Sequence, residues 1–307
     1  MKNTIKYYYN LAVDNIRFSH QTYYFSHQNQ EYILTMYNRR PLEEAKTLYL
    51  LNLEAIVKDK NYHRIILNKE NSVITVIENI PYVLIKLANS NHKQIDIENL
   101  KAVPIKITKD LQSLSHFNWV YLWSQKIDYI EYQIEHIKLG HLDLMNNIWY
   151  YIGLGENAIS YIQNTVLEEK PTSEDGMTIS HRRINFTDDL CQYYNPLSLI
   201  IDHPSRDYAE YLKSYFLSGS YSLTKLEDYL ESILLSQYGY RLLFGRLLFP
   251  SFYFDAYEKM IDKKITEKSM LLIAERGNEY KEFLVEIYHI LKKHSYLPEV
   301  TWLIKKI

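Results

Sequence analysis

The chain has 307 residues, 47% of them hydrophobic, enough to bury a sizeable core as one large domain or two smaller ones. A formal charge of -2 gives no basic field for nucleic acid or an anionic membrane, and a single cysteine, Cys191, forms no internal disulfide. The first ten residues carry Tyr and Lys in place of an apolar leader, and no run nears the roughly 18 apolar residues of a membrane span, so the expectation is a cytoplasmic protein without membrane insertion.

Residues 16–37 mix β-branched and aromatic residues around polar breaks, which predicts two or three strands with tight connections. Over 41–56, Pro41 suits a first helical turn, acids follow it, and Leu48, Leu51 or Leu50, and Ala55 recur at helical intervals. Ile65–Leu67 and Val73–Ile77, parted by a polar NKEN stretch, and then Tyr82–Leu87 read as further strands. Residues 1–88 thus form an N-terminal lobe of antiparallel sheet with one helix, 89–106 a polar linker without a period, and 107–307 a mainly helical lobe.

In the second lobe Trp119, Leu122, Trp123, Ile127, Ile130, Ile134 and Ile137 recur at steps of three and four, predicting an amphipathic helix over 115–138 with Gly140 as its cap. Ile148, Ile152, Gly155, Ile159, Ile162 and Val166 predict a second helix over 145–168, packed on the first with Ile152, Gly155 and Ile159 buried. Gly153 and Gly155 each lower helix propensity by roughly 1 kcal/mol, which points to a packing reason for both. Residues 168–178 make a loop, after which strand, loop and strand run through ISHRRINF and LSLII. A helix opens near Asp207 behind Ser205, Thr224 with Glu227 has a capping-box pattern, and helix continues to about His294.

No glycine precedes Gly140, so the N-terminal region lacks every Gly-rich loop that lets backbone approach a phosphate, whether Walker A, Rossmann or kinase type. The histidines are scattered without HExxH or CxxC spacing, and no GxSxG elbow offers a serine nucleophile. What remains is His181-Arg182-Arg183-Ile184-Asn185, followed by Asp202-His203-Pro204-Ser205-Arg206-Asp207.

A sheet-and-helix half, a linker, a helical half and a His-bearing loop before an Asp-bearing strand resemble the aminoglycoside-phosphotransferase branch of the protein-kinase-like fold. Within that branch, YYIGLGENAISYI at 150–162, SHRRI at 180–184 and DHPSRDYAEYL at 202–212 resemble the spore-coat-associated CotS and YutH group. The resemblance implies an α+β, two-lobed kinase-like fold. In active members a loop Asp positions the acceptor hydroxyl, an Asn about five residues on and a strand Asp hold metal, and a strand Lys meets phosphate. Those roles need carboxylates and a cation, because the transition state is stabilised by positioning and by Mg²⁺.

Carried onto this chain, the loop is His181, Arg182 and Arg183, and Arg183 stands where the Asp belongs; a cation accepts no proton and binds no metal. His181 also reads as a buried histidine, and the two arginines as surface charges or an anion site. The metal Asn position holds Asp188. Asp202 follows LSLII as the strand Asp should, while DHPSRD also fits a later motif of the family, under which that Asp is missing. Thr35 stands at the Lys position, with Arg39, Arg40 and Lys46 nearby and Glu44 or Glu43 either as the helix carboxylate or as ordinary first-turn acids. Asp207 is implied to brace the loop by accepting backbone hydrogen bonds near His181–Arg183. The expectation is a pseudokinase without a cofactor that acts by binding a protein partner, in sporulation or spore-coat assembly. The alternative is an active small-molecule phosphotransferase that takes Mg-ATP through Asp188 and Asp202; a third reading is a nucleotide- or ligand-sensing module without transfer.

Overall fold

The structure, a computed structural model, describes residues 1–13, 15–39, 41–88, 92–136 and 142–304. Arg40, Ile137 and Gly140 lie outside them. The chain divides into two compact units, Met1–Asp96 with Lys101–His116 and Met177–Asp202, and Ile97–Leu100 with Phe117–Gly176 and His203–Ile307. This division is discontinuous along the chain, unlike the linear one at 88 and 106.

In chain order the elements begin with α1 (Lys2–Tyr9), β1 (Ile16–Ser19), β2 (Thr22–His27), β3 (Gln30–Met36), α2 (Glu44–Lys58), β4 (Arg64–Ile66), β5 (Thr75–Ile77) and β6 (Ile80–Lys86). After β7 (Val103–Pro104) come α3 (Trp119–His136), α4 (Leu142–Glu168), β8 (Thr178–His181), α5 (Leu190–Tyr193) and β9 (Leu199–Asp202). The remainder is helical: α6 (Ser205–Leu217), α7 (Leu223–Ser232), α8 (Gln237–Leu248), α9 (Ser251–Ile261), α10 (Glu267–Ala274), α11 (Gly277–Leu291) and α12 (Thr301–Ile304).

The first unit carries an antiparallel sheet in the order β1-β2-β3-β6-β4, with β5 also on β6. Three of its hairpins close on two residues at positive φ, His20-Gln21, Gln28-Asn29 and Glu78-Asn79. Such turns match the strand twist and usually recruit glycine; in a segment without glycine, polar side chains take them at roughly 1–2 kcal/mol per residue. α1 has no counterpart in the sequence-based expectation, since Ile5 is its one buried residue and offers no period. α2 starts at Glu44, three residues later than expected, and packs Leu48, Leu51 and Ala55 into a core with Val83, Ile85, Leu199 and Ile201. A second antiparallel sheet, β7-β8-β9, adjoins that core through Ile179 and Ile201.

In the second unit α4 packs against α3, α8 and α10, α6 against α8, and α11 against α7 and α8. α3 buries Trp119, Trp123, Ile127, Ile130 and Ile134, while Leu122 is exposed. α4 departs from the expected stripe: Ile152 and Gly155 are buried as expected, but Ile159 is half-buried and Val166 exposed, and Tyr151, Leu154, Ala158, Tyr161 and Thr165 are buried instead. Three neighbouring helices cover more of α4 than the single stripe of an amphipathic helix. Two starts also differ: α6 begins at Ser205, and α7 is capped by Ser222, whose hydroxyl accepts the Lys225 N–H, not by the Thr224–Glu227 pair.

The two helix glycines separate. A Cβ on Gly155 would stand 3.0 Å from Ile127 Cδ1, whereas one on Gly153 would meet nothing within 4 Å. The packing reason holds for Gly155 and fails for Gly153. Gly153→Ala is therefore expected to raise unfolding free energy by about 1 kcal/mol, and Gly155→Ala to give no such gain. Chemical denaturation of the two variants checks this, and equal gains would contradict the packing.

Candidate functional site

β8 and β9 pair from Thr178↔Asp202 to His181↔Leu199, and the His-Arg-Arg segment leaves the end of β8. His181 is buried, its ring 4.3 Å from that of Tyr193 and 6.4 Å from that of Tyr62. The two arginines are exposed: Arg182 donates its backbone N–H to the Ser198 carbonyl (2.8 Å), and Arg183 Nη1 turns back onto the Arg182 carbonyl (2.8 Å). Asp188 closes the turn. Its Oδ2 accepts the Asn185 N–H at 2.9 Å, and both carboxylate oxygens accept from Asn185 Nδ2, at 3.2 and 3.3 Å. Asp189 caps α5 in a reciprocal box with Gln192 and lies 2.6 Å from His92 Nδ1.

Residues 92–95 run alongside this loop. Ile95 N–H donates to the Asp188 carbonyl (3.0 Å), Leu190 N–H to Lys93 (2.9 Å) and Gln94 Nε2 to Phe186 (2.7 Å). The loop is fixed from both sides by its own carboxylates and by the strap beside it. Asp202 is fully buried, and its carbonyl accepts the Thr178 hydroxyl at 3.1 Å. Among the described residues no group of three or more His, Cys, Asp or Glu side chains converges to hold a metal.

The strand position expected for a phosphate-binding Lys is filled by Thr35, whose hydroxyl lies 3.0 Å from that of Thr22 across the β2–β3 ladder. β3 contains no Lys at all. Glu44, at the start of α2, instead receives Arg39 Nε at 3.1 Å in a pair with side-chain exposures of 2% and 11%. Arg39 Nη1 donates further to the carbonyls of Leu197 (3.2 Å) and Leu199 (2.8 Å). One planar guanidinium thus ties the chain after β3 to α2 and to the edge of β9. Glu43 is exposed. Next to the pair, burial pushes the Tyr37 phenol up, opposed by the Arg39 charge.

His63 is a second tie. Its Nε2–H donates to the Cys191 carbonyl (2.9 Å) and its Nδ1 accepts the Ala88 N–H (3.2 Å). Burial holds its pKa below the usual value against the opposing Cys191 hydrogen bond and Asp189 charge, in keeping with a neutral ring that must keep Nδ1 as an acceptor.

In the second unit Asp207 is buried in the first turn of α6. Close by in sequence, His203 Nε2 lies 3.1 Å from Asp175 Oδ1, and His203 Nδ1 accepts the Ser205 N–H (3.1 Å) with Ser205 Oγ at 2.8 Å. Asp175 Oδ2 accepts the N–H and hydroxyl of Thr172 at 2.6 and 2.9 Å, and Ser236 donates to Oδ1. Burial alone would raise the Asp175 pKa; these hydrogen bonds outweigh it and hold the carboxyl below its usual value. The Asp-His-Ser order resembles a hydrolytic triad, but His203 and Ser205 have no exposure to solvent and His203 Nδ1 is already an acceptor of a backbone N–H. The array fastens the fold.

At the positions that the resemblance assigns to Mg-ATP, the side chains differ from those of active kinases. The β1–β2 turn has two residues, β3 has no Lys, Arg183 stands where the resemblance puts the loop Asp, and the Asp188 oxygens accept from Asn185. Of the ties found here, the Asp189–Gln192 box, absent from the sequence-based expectation, has a local signal in its Asp-x-x-Gln spacing. His63 was not, since its partners lie 25 and 128 residues away in the chain.

A family model described as "Spore coat putative kinase YutH" matches residues 2–287 of the chain. The endospore coat-associated protein YutH of Bacillus subtilis (strain 168) is 31% identical over 211 residues, which cover 60% of this chain and 61% of that protein's length. Among solved structures, spectinomycin phosphotransferase in complex with ADP and spectinomycin has a TM-score of 0.53 at 11% identity, covering 95% of this chain and 97% of its own. Choline kinase LicA from Streptococcus pneumoniae gives 0.53 at 11% identity over 94% and 97%. At such identity these two establish the fold alone, which is the two-lobed kinase-like α+β fold that the motifs implied. With the family model spanning nearly the whole sequence, the chain belongs to the YutH family of kinase-like spore-coat proteins.

Proposed function

We propose that this protein is a pseudokinase, a kinase-like chain without phosphotransfer activity that acts by binding a protein partner in spore-coat assembly. The observation that carries this reading is the engagement of Asp188 by Asn185 beside an Arg183 turned onto its own backbone. Phosphoryl transfer depends on positioned carboxylates, metal and cations, and removing even one preorganised partner of a developing charge slows a reaction by about 10²–10³. Here the acceptor-positioning carboxylate, the strand Lys and the Gly-rich loop are replaced together. The coat assignment rests on the family to which the chain belongs, and the binding role on the replaced residues alone. Its charge of -2 favours a protein partner over nucleic acid, and among the described residues no helix is long and apolar enough to cross a membrane. We place it in the cytoplasm, in association with the spore.

Incubation of the full chain with Mg-ATP and small amino-alcohol or aminoglycoside acceptors tests the reading. The expected outcome is no product above the protein-free blank, with Arg183→Asp restoring none because β3 still lacks its Lys. Turnover at the ordinary kinase rate of about 1–100 per second would overturn it.

A further inference from the structure

Within the second unit a pocket of about 620 Å³ opens between the start of α3, the last turns of α4 and α8. Its size falls within the roughly 300–1,000 Å³ of small-molecule sites, and no charged side chain lines it. Trp119 and Tyr238, 2% and 5% exposed, make its deep face; Phe117, Ile162 and Leu242 add apolar wall, and Val166, 55% exposed, stands at the rim. Tyr238 brings a phenol hydroxyl to this wall beside the indole N–H of Trp119. Its hydroxyl has no hydrogen-bond partner among the described residues, although its ring packs edge-on to that of His203 at 6.1 Å.

We propose that this pocket binds an uncharged, ring-bearing small molecule with one carbonyl-type acceptor, which the Tyr238 hydroxyl meets on the deep face. The wall residues reward burial of apolar rings. A charged ligand would lose its hydration with no counter-charge to replace it, which excludes nucleotides and polycationic sugars from this pocket. Burial, and after it the Asp175 charge, push the Tyr238 phenol up, so at neutral pH it keeps its proton and serves as a donor. An apolar side chain of a partner protein would fill the same space and leave that hydroxyl unpaired, a disfavoured arrangement. The pocket uses none of the loop residues discussed above, so it stands whether or not the chain transfers phosphate.

The probe is 6-propionyl-2-(dimethylamino)naphthalene, a neutral bicyclic ketone whose emission moves to the blue in apolar surroundings, titrated with the full chain. Saturable one-to-one binding is expected. Tyr238→Phe should weaken it about 3- to 10-fold with an unchanged melting temperature. Val166→Arg, at an exposed position that leaves folding alone, should weaken it about tenfold or more by placing a charge at the mouth. Neutral 2-acetylnaphthalene should compete and anionic 2-naphthoate should not. Absence of saturable binding up to the solubility limit of the probe, affinities unchanged in both variants, or equal competition by the two naphthalenes would each overturn the proposal.

Discussion

Arg39→Ala is expected to lower the unfolding free energy by about 3–5 kcal/mol, the usual consequence of removing one member of a buried ion pair and leaving the other charged. Glu44 would lose its partner in a nearly dry setting, and the carbonyls of Leu197 and Leu199 would lose a donor at the same time. Arg39→Lys should recover only a minor part, because a single ammonium does not reproduce a planar fork that serves a carboxylate and two carbonyls at once. Urea unfolding followed by circular dichroism measures the difference. A loss below about 1 kcal/mol, as for an exposed pair, would contradict the role assigned to Arg39. The Arg39–Glu44 pair holds α2 on β9.

A comparable effect is expected from Arg246→Ala. Arg246 on α8 donates to Glu210 on α6 at 3.0 Å with both side chains about 95% buried, and its guanidinium lies 4.7 Å from the centre of the Trp119 ring. Truncation removes the Arg246 charge from beside a carboxylate buried between two packed helices and should cost about 3–5 kcal/mol. The double change Glu210→Gln with Arg246→Met should recover more than half of that, since both charges of the pair are removed together and the long Met side chain still covers Trp119. Denaturation curves read by tryptophan fluorescence would show the recovery. Equal losses in the single and double variants would mean that packing, not charge, dominates at this contact.

The sheet and the long helices were legible because their signals are local. Alternation in 16–37 and 82–87 reports strands whose neighbours sit a few residues away, and the Trp119 to Ile134 period reports one covered face. The departures arose where coverage is not local. α4 meets three helices, so its buried face is wider than a stripe and excludes Val166. Ser222 and Thr224 are equally good capping residues in sequence, and the backbone turns at the first of them. At the candidate site the replaced residues could be counted by motif, whereas their present duties could not. Arg39 reaches carbonyls 158 and 160 residues away, and nothing near Asn38 or Pro41 announces that. Asp188 is intermediate: the Asn185-x-x-Asp188 spacing permits a closed turn, but only the structure shows both carboxylate oxygens accepting from the Asn185 side-chain amide.

The most direct test of the pseudokinase reading is the melting temperature of the full chain with and without saturating Mg-ATP. A ligand present at about 100 times its Kd and bound only by the native state adds about 2.7 kcal/mol, which for a chain of this size raises the melting temperature by roughly 5 °C or more. The expected result is no shift. A concentration-dependent rise of that size that requires magnesium and is lost in Asp202→Asn would contradict the account, because it would show that a nucleotide–metal site survives the replacement of the Lys, the Gly-rich loop and the loop Asp.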